Sequence, residues 1–349
     1  MTEEKFRNKI IWMTFVLSIL VVMIHSYNLD LFEAAGGNGF LPAFTAKLQT
    51  LVSAAIPTVA VPGFFMVSAY LFYRNVSWKT VPDKMCRRVK SVLIPYIVWN
   101  TLYYAGFSFA GMFPFLWGVM GRERVPFTMY GLADAILNFT YNPVLWYLKQ
   151  LIILIALAPL LYMILKRVWL GAAAMSALLA VIAQGAIIPI LNLDALLYYS
   201  AGAYLAMHGR DLAEREDGKT LKSRLVKSLG ILSGLLIAAE LFGCSVRYGS
   251  VLMTVLFGLL SPMVIWRALP SALPAAPSFM KFSLFYYCLH FLLVRGINKG
   301  ASMVLAHNAG AALLLYLAMP AAVTAVTWAV AVFLKKKIPP LWKLLSGGR

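Results

Sequence analysis

The sequence predicts an all-α polytopic membrane protein of about ten transmembrane helices with both termini cytosolic, forming a single integral-membrane domain over residues 1–349. Three observations predict it. Hydrophobic residues make up 61% of the chain and charged residues only 13%, with a mean hydropathy of +0.78, a balance that belongs to membrane proteins. Apolar runs long enough to cross a bilayer recur along the whole length. The basic residues fall in alternate connections instead of gathering on one face or tail, so the formal charge of +18 does not point to nucleic acid.

Ile10–Asp30, reading IIWMTFVLSILVVMIHSYNLD, follows a tail carrying Lys5, Arg7 and Lys9. About 20 apolar residues at about 1.5 Å each cross a core of about 30 Å, which makes this the first span. A signal peptide would need a small-residue site close behind the run, whereas the one available, around Ala34–Gly36, lies far beyond it. The second span, roughly Leu51–Tyr73, holds Pro57 and Pro62 and is expected to be kinked or broken. The third covers about Ser91–Gly111. The connection Met112–Pro143 is the longest, part of it helical or interfacial, and the fourth span is about Val144–Leu165. Spans five and six are about Trp169–Ile190 and Ala195–Met207, followed by a hydrophilic loop from His208 to Lys227. The last four lie at about Ser228–Cys244, Tyr248–Trp266, Phe279–Asn298 and Gly310–Leu334, with a basic amphipathic tail after them.

Of the 31 Lys and Arg residues, 24 fall on the side of the two termini, 6 on the other and Lys149 within a span. That bias in short loops predicts cytosolic termini. The three cysteines, Cys86, Cys244 and Cys288, are widely separated and form neither a disulfide framework nor a metal pattern. There is no Gly-x-Ser-x-Gly elbow and no phosphate-binding glycine loop.

Ionisable groups inside membrane helices are costly and tend to find one another. On this topology His25, Lys149, Glu240 and His290 come from four helices and lie roughly 5 to 12 Å below the outer boundary at about 1.5 Å per residue. At about 100° per residue, Thr14 and Ser18 fall within about 20° of the His25 direction and Arg7 falls on it, a polar seam along one helix. Ser283, Tyr286 and Tyr287 give His290 a similar seam. A histidine in such surroundings suits general-base work on a hydroxyl nucleophile, and a nearby lysine suits oxyanion stabilisation. Blander roles exist for each: an interfacial histidine, a snorkelling lysine, an interfacial glutamate, a core histidine bonded to tyrosine.

The stretches VLSILVVMIHS, KMCRRVKSVLIPYIVW, LWYLKQL, SAGAYLA and FSLFYYCLH, in this order along the chain, together resemble the membrane-integral acyltransferase family 3. The resemblance implies a ten-helix protein of the bacterial cytoplasmic membrane that O-acylates an extracytoplasmic or lipid-linked glycan, with acetyl-CoA or another short acyl-CoA as donor and no tightly bound cofactor. His25 then takes the place of the first-helix histidine, Arg87 and Lys90 match an Arg-x-x-Arg pattern with lysine second, Trp146 and Lys149 match a Leu-Trp-Phe-Leu-Arg region, and His290 matches a Tyr-x-x-His element. Arg87, Arg88, Lys90 and Arg7 are expected to meet the donor's phosphates; Trp146, Tyr286, Tyr287 and Ser18 are expected to line the acceptor site. The chain departs from the family at Thr14, where arginine is common, and at Ala69, where glycine is. Without that arginine, a transporter or flippase of the same fold is the rival reading, and a homo-oligomer or an envelope-synthesis complex is the expected setting.

Overall fold

The structure, a computed structural model, describes residues 1–32 and 39–348; the Ala34–Gly36 stretch weighed above lies outside them. In chain order its helices are α1 (Glu3–His25), α2 (Phe40–Thr50), α3 (Ala60–Tyr73), α4 (Val81–Arg88), α5 (Ile94–Ala110), the single turn α6 (Trp117–Met120) and α7 (Met129–Asn138). These are followed by α8 (Trp146–Ala156), α9 (Ala158–Leu165), α10 (Val168–Ala183), α11 (Leu193–His208) and the single turn α12 (Arg210–Ala213). Then come α13 (Leu221–Tyr248), α14 (Val251–Ala268), α15 (Ser283–Ser302), α16 (Ala309–Lys337) and α17 (Pro339–Ser346). No strand occurs among the described residues.

Four of these, α1, α13, α14 and α16, are long and apolar enough to cross a membrane, and α8 with α9, bent by 63°, makes a fifth if taken as one span. The bend has a local cause. Pro159 lies in the first turn of α9, has no N–H to give, and its ring excludes the carbonyl four residues earlier. Other predicted spans are helical but fall short of a full crossing by these measures. α15 carries His290, Arg295, Asn298 and Lys299 within its 20 residues, and α10 stops at Ala183 because Gly185 turns the chain with φ 74° ahead of Pro189.

Two expectations shift at their boundaries. The second predicted span is indeed broken: a π-helical turn at Leu51–Ala55 and a 3-10 turn at Ile56–Val59 separate α2 from α3, as its prolines require. The seventh is longer than its apolar core. The Thr220 side chain accepts the Ser223 N–H at 3.3 Å and caps α13, so Lys222, Arg224 and Lys227 belong to the helix and not to a loop.

The chain packs as two compact units, each assembled from three stretches. The first comprises Met1–Leu20, Thr58–Met85 and Ile153–Lys281. Here α3 crosses α11 at close range, since a Cβ added to Gly202 would lie 2.3 Å from the Met66 carbonyl oxygen. Small residues at a crossing are how helices gain van der Waals contact where the hydrophobic effect offers little, and this explains the SAGAYLA stretch. At one end of this unit Arg74, 13% exposed, is clasped by Glu214 at 2.7 and 2.9 Å and by Glu3 at 2.7 Å, while the Tyr70 hydroxyl donates to Glu214 at 2.7 Å.

The second unit comprises Val21–Pro57, Cys86–Ile152 and Phe282–Arg349. Its core is α15, with Phe285, Tyr286, Tyr287, Cys288, His290, Val294 and Asn298 buried. The predicted amphipathic tail is α17, which buries Trp342 against Phe282 and Phe285 and accepts the Trp99 indole N–H at the Leu345 carbonyl, 3.1 Å.

Candidate active site

His25 is the last residue of α1. The helix tightens at its end, where the Ser26 N–H bonds the Met23 carbonyl at 3.3 Å and the Ser26 hydroxyl bonds the Val22 carbonyl at 2.7 Å. A buried set of amides fixes the exit. The Gln49 side chain accepts the Asn28 backbone N–H at 3.1 Å and donates to the Asn28 carboxamide oxygen at 2.9 Å. Asn28 donates onward to Asn298 at 3.3 Å, and Asn298 donates to the Ser26 carbonyl at 3.4 Å. This cluster joins α2 and α15 to the end of α1, one turn from His25.

The imidazole of His25 packs against that of His290, with ring centroids 5.4 Å apart and planes at 37°. Phe291 meets His25 edge-on at 5.2 Å. His25 is half-buried, whereas His290 is fully buried. Nδ1 of His290 faces the Tyr287 carbonyl oxygen; a carbonyl only accepts, so Nδ1 carries the hydrogen and the neutral ring keeps its lone pair on Nε2. That Nε2 is buried with no hydrogen-bond partner among the described residues. Buried polar atoms are ordinarily paired, and an unpaired one marks a place where something else binds or reacts.

The turn bearing His290 is braced through its backbone. The Cys288 carbonyl accepts the Tyr103 hydroxyl at 2.8 Å and the Asn142 carboxamide at 3.2 Å. The Tyr287 hydroxyl donates to the Val144 carbonyl, and its ring contacts Tyr147 at 5.4 Å and His290 at 5.7 Å. Asn142 Oδ1, like His290 Nε2, is buried without a hydrogen-bond partner among the described residues.

The predicted site residues thus divide. His25, His290 and Tyr287 come together. Tyr286 is buried but faces α16, its hydroxyl 3.3 Å from that of Thr324. Trp146 opens α8 and is half-buried. Lys149 is occupied elsewhere: its Nζ donates to the Leu137 carbonyl at 2.8 Å and closes the C-terminus of α7, where Phe139 takes a left-handed φ of 45°. Basic groups at helix C-termini are stabilising in this way. Glu240 belongs to the first unit, is exposed on α13 and accepts the Cys244 thiol at 3.2 Å.

The polar seam of α1 is satisfied within its own helix. Ser18 bonds the Thr14 carbonyl at 2.8 Å, and Thr14 bonds the carbonyls of Ile10 and Ile11, both at 3.0 Å. Arg7 is exposed and pairs with Glu3 at 2.8 Å. Arg87 and Lys90 are exposed and Arg88 is half-buried, where α4 runs into a π-helical turn at Val89–Leu93. The residues that sequence reasoning passed over are Asn28, Gln49, Asn142 and Asn298. They lie in polar surroundings at the ends of apolar runs, as in HSYNLD, AKLQT, FTYNP and RGINK, so nothing in the pattern set them apart.

The helices and this centre define a multi-pass membrane protein with paired imidazoles on buried, braced backbone. The chain belongs to the acyltransferase 3 family, whose Acyltransferase domain matches residues 7–334, from the first turns of α1 to the last turn of α16. It is a transferase of the acyltransferase kind. No curated protein and no solved structure matches the chain.

Proposed function

We propose that the protein moves a short acyl group, acetyl in the simplest case, from cytosolic acyl-CoA to a hydroxyl of an extracytoplasmic or exported polysaccharide at the bacterial cytoplasmic membrane. The observation that carries this reading is the His25–His290 pair with a bare, buried Nε2 on His290. His25, the more open ring, takes the proton of the acceptor hydroxyl. The oxygen attacks the thioester carbonyl, the carbon–sulfur bond breaks, and the departing thiolate takes the proton from His25. His290, held in one tautomer by the Tyr287 carbonyl, orients His25 and offsets the charge that it gains. Arg87, Arg88 and Lys90 are the cations offered to the phosphates of the donor. Lys149 holds α7 in this scheme and leaves the carbonyl to other groups.

Transport without acyl transfer draws on one specific observation: the Thr14 hydroxyl is bonded to its own helix, so nothing there replaces the arginine for donor handling. Both readings are separated by free-thiol release from acyl-CoA with membranes containing wild-type or His25→Ala protein, together with mass spectrometry of surface glycans. Acyl transfer requires that thiol release and glycan acylation fall together in the variant. Unchanged acylation at normal protein levels overturns the proposal, and substrate movement in vesicles free of acyl-CoA establishes transport instead.

A further inference from the structure

A groove of about 650 Å³ opens in the first unit between the N-terminal turns of α13 and the C-terminal turns of α14. Its two ends differ in chemistry. The mouth is lined by Arg215, Lys222, Lys227 and Arg267, the floor by Ile231, Gly234, Leu260 and Val264. The carboxylates at the mouth are already matched: Glu216 pairs with Lys5, and Asp217 pairs with Lys227 at 2.7 Å while accepting the Ser271 N–H at 2.8 Å. Arg215, Lys222 and Arg267 have no carboxylate within ion-pair distance among the described residues. Lys9, buried beneath Trp266 at 4.4 Å from its ring, adds a further positive charge.

The shape is a wedge. A Cβ added to Gly230 meets nothing within 4 Å, whereas one added to Gly234 would come within 2.7 Å of Val264, so the helices part towards the charged end. From Lys222 to Gly234 is about 18 Å at about 1.5 Å per residue, close to the depth of one leaflet, about 15 Å. Around the mouth Leu221, Leu225, Val226 and Leu229 are exposed, and only 6% of the most apolar stretch of α13 is buried. Cations at one end of an apolar slot, on a helix whose flanks want hydrocarbon, match a molecule with a phosphate head and an acyl tail.

We propose that this groove is a binding site for an anionic phospholipid, its headgroup phosphate held by Arg215, Lys222 and Arg267 and one acyl chain lying in the slot past Gly230. Soluble acyl-CoA shares the phosphate chemistry but does not account for the lipid-facing flank, and it becomes an arm of the test. The full chain is reconstituted in nanodiscs of phosphatidylcholine with and without phosphatidylglycerol, and lipid retained after exchange into detergent is counted by native mass spectrometry. Wild-type protein retains phosphatidylglycerol. R215Q/K222Q/R267Q loses about tenfold or more of that retention, each cation near a membrane surface being worth a severalfold effect. Gly230→Leu, which fills the slot and leaves every charge, loses it as well. K219Q/R224Q, which removes two cations of the same segment that do not line the groove, retains lipid like wild type. Equal retention by the triple variant, or an equal loss in K219Q/R224Q, overturns the assignment. Displacement of the lipid from wild-type protein by coenzyme A, with coenzyme A itself retained by wild type and lost by the triple variant, also overturns it and gives the groove to the acyl donor.

Discussion

Replacing Gln49 by leucine tests whether the buried amides hold the end of α1 where His25 needs it. Gln49 is fully buried, and its carboxamide makes two bonds to one residue: it accepts the Asn28 N–H at 3.1 Å and donates to the Asn28 oxygen at 2.9 Å. Leucine fills much of the same volume and makes neither. Each buried group left without a partner costs about 1–3 kcal/mol, so two give about 2–6 kcal/mol. Hydrogen bonds between helices in a bilayer have averaged nearer about 0.6 kcal/mol by double-mutant cycles, which sets the lower bound near 1 kcal/mol. Stability is read by denaturant unfolding in mixed micelles, and activity by thiol release per folded molecule. We expect a loss within that range, a fall in kcat exceeding any rise in KM, and non-additivity with Asn298→Leu, because both side chains act through Asn28. A Gln49→Leu protein within about 0.5 kcal/mol of wild type, with unchanged kcat, refutes the bracing argument.

The other expectations concern separate elements. His25→Ala and His290→Ala each lower acyl transfer by about 10²–10⁴-fold, the range for a lost general base, with the fold intact by circular dichroism; a smaller effect at His290 than at Lys149 would reverse their assigned roles. Lys149→Met leaves the Leu137 carbonyl without its donor and costs about 1 kcal/mol, while turnover per folded molecule stays near wild type; a fall of a hundredfold would return Lys149 to the reacting carbonyl. Gly202→Ala forces a methyl against the Met66 backbone oxygen, which cannot swing away like a side chain, and costs about 1–3 kcal/mol in thermal unfolding. For Glu214, burial opposes ionisation, but hydrogen bonds from Arg74 and Tyr70 prevail and hold its carboxyl below the usual carboxylate range. A depressed folded value means that its contribution is complete above the unfolded value of about 4.3 and is lost as the pH falls through the folded one. Glu214→Gln therefore lowers stability at neutral pH and flattens the acid limb of the stability profile; an unchanged acid limb counts against the Arg74–Glu214 clasp.

The helical elements were legible because membrane helices announce themselves by composition, and the break ahead of α3 was legible from Pro57 and Pro62, whereas the bend at Pro159 falls inside what reads as one continuous fourth span. Helix ends set by polar caps were harder. Nothing in the hydropathy of Ser228–Cys244 shows that Thr220 starts that helix two turns earlier. The site was half legible for a similar reason. Periodicity shows that Thr14, Ser18 and His25 share a face, but not that the two hydroxyls bond back to their own helix carbonyls, a choice open to any serine or threonine in a membrane helix. Lys149 looked like a buried charge in search of an anion, whereas a helix C-terminus supplies carbonyls that satisfy it just as well. His25 and His290 stood out because an imidazole has two ring nitrogens and a carbonyl of its own helix satisfies only one of them, as Tyr287 does for His290 Nδ1.

The two motifs nearest His290 have a common physical basis in the bonds that cross between them. Tyr103 and Asn142 both donate to the Cys288 carbonyl, and Tyr287 donates in the other direction, to the Val144 carbonyl at the head of α8. Both acceptors are backbone carbonyls, so the three side-chain donors tie down the main chain on both sides. On the proposed reading, a base that must stay within reach of a partner ring 5.4 Å away needs this stiffness, since misplacement by about 1 Å costs about a hundredfold in rate. Cys288 is fully buried within this arrangement, and its carbonyl takes two of these bonds. The aromatic stretch LFYYCLH thus reads as two tyrosines on separate duties: Tyr287 braces the turn through Val144 and offers its own carbonyl to His290 Nδ1, while Tyr286 ties the same turn to Thr324 of α16. The lone pair on Nε2 is aimed by what holds the opposite edge of the ring.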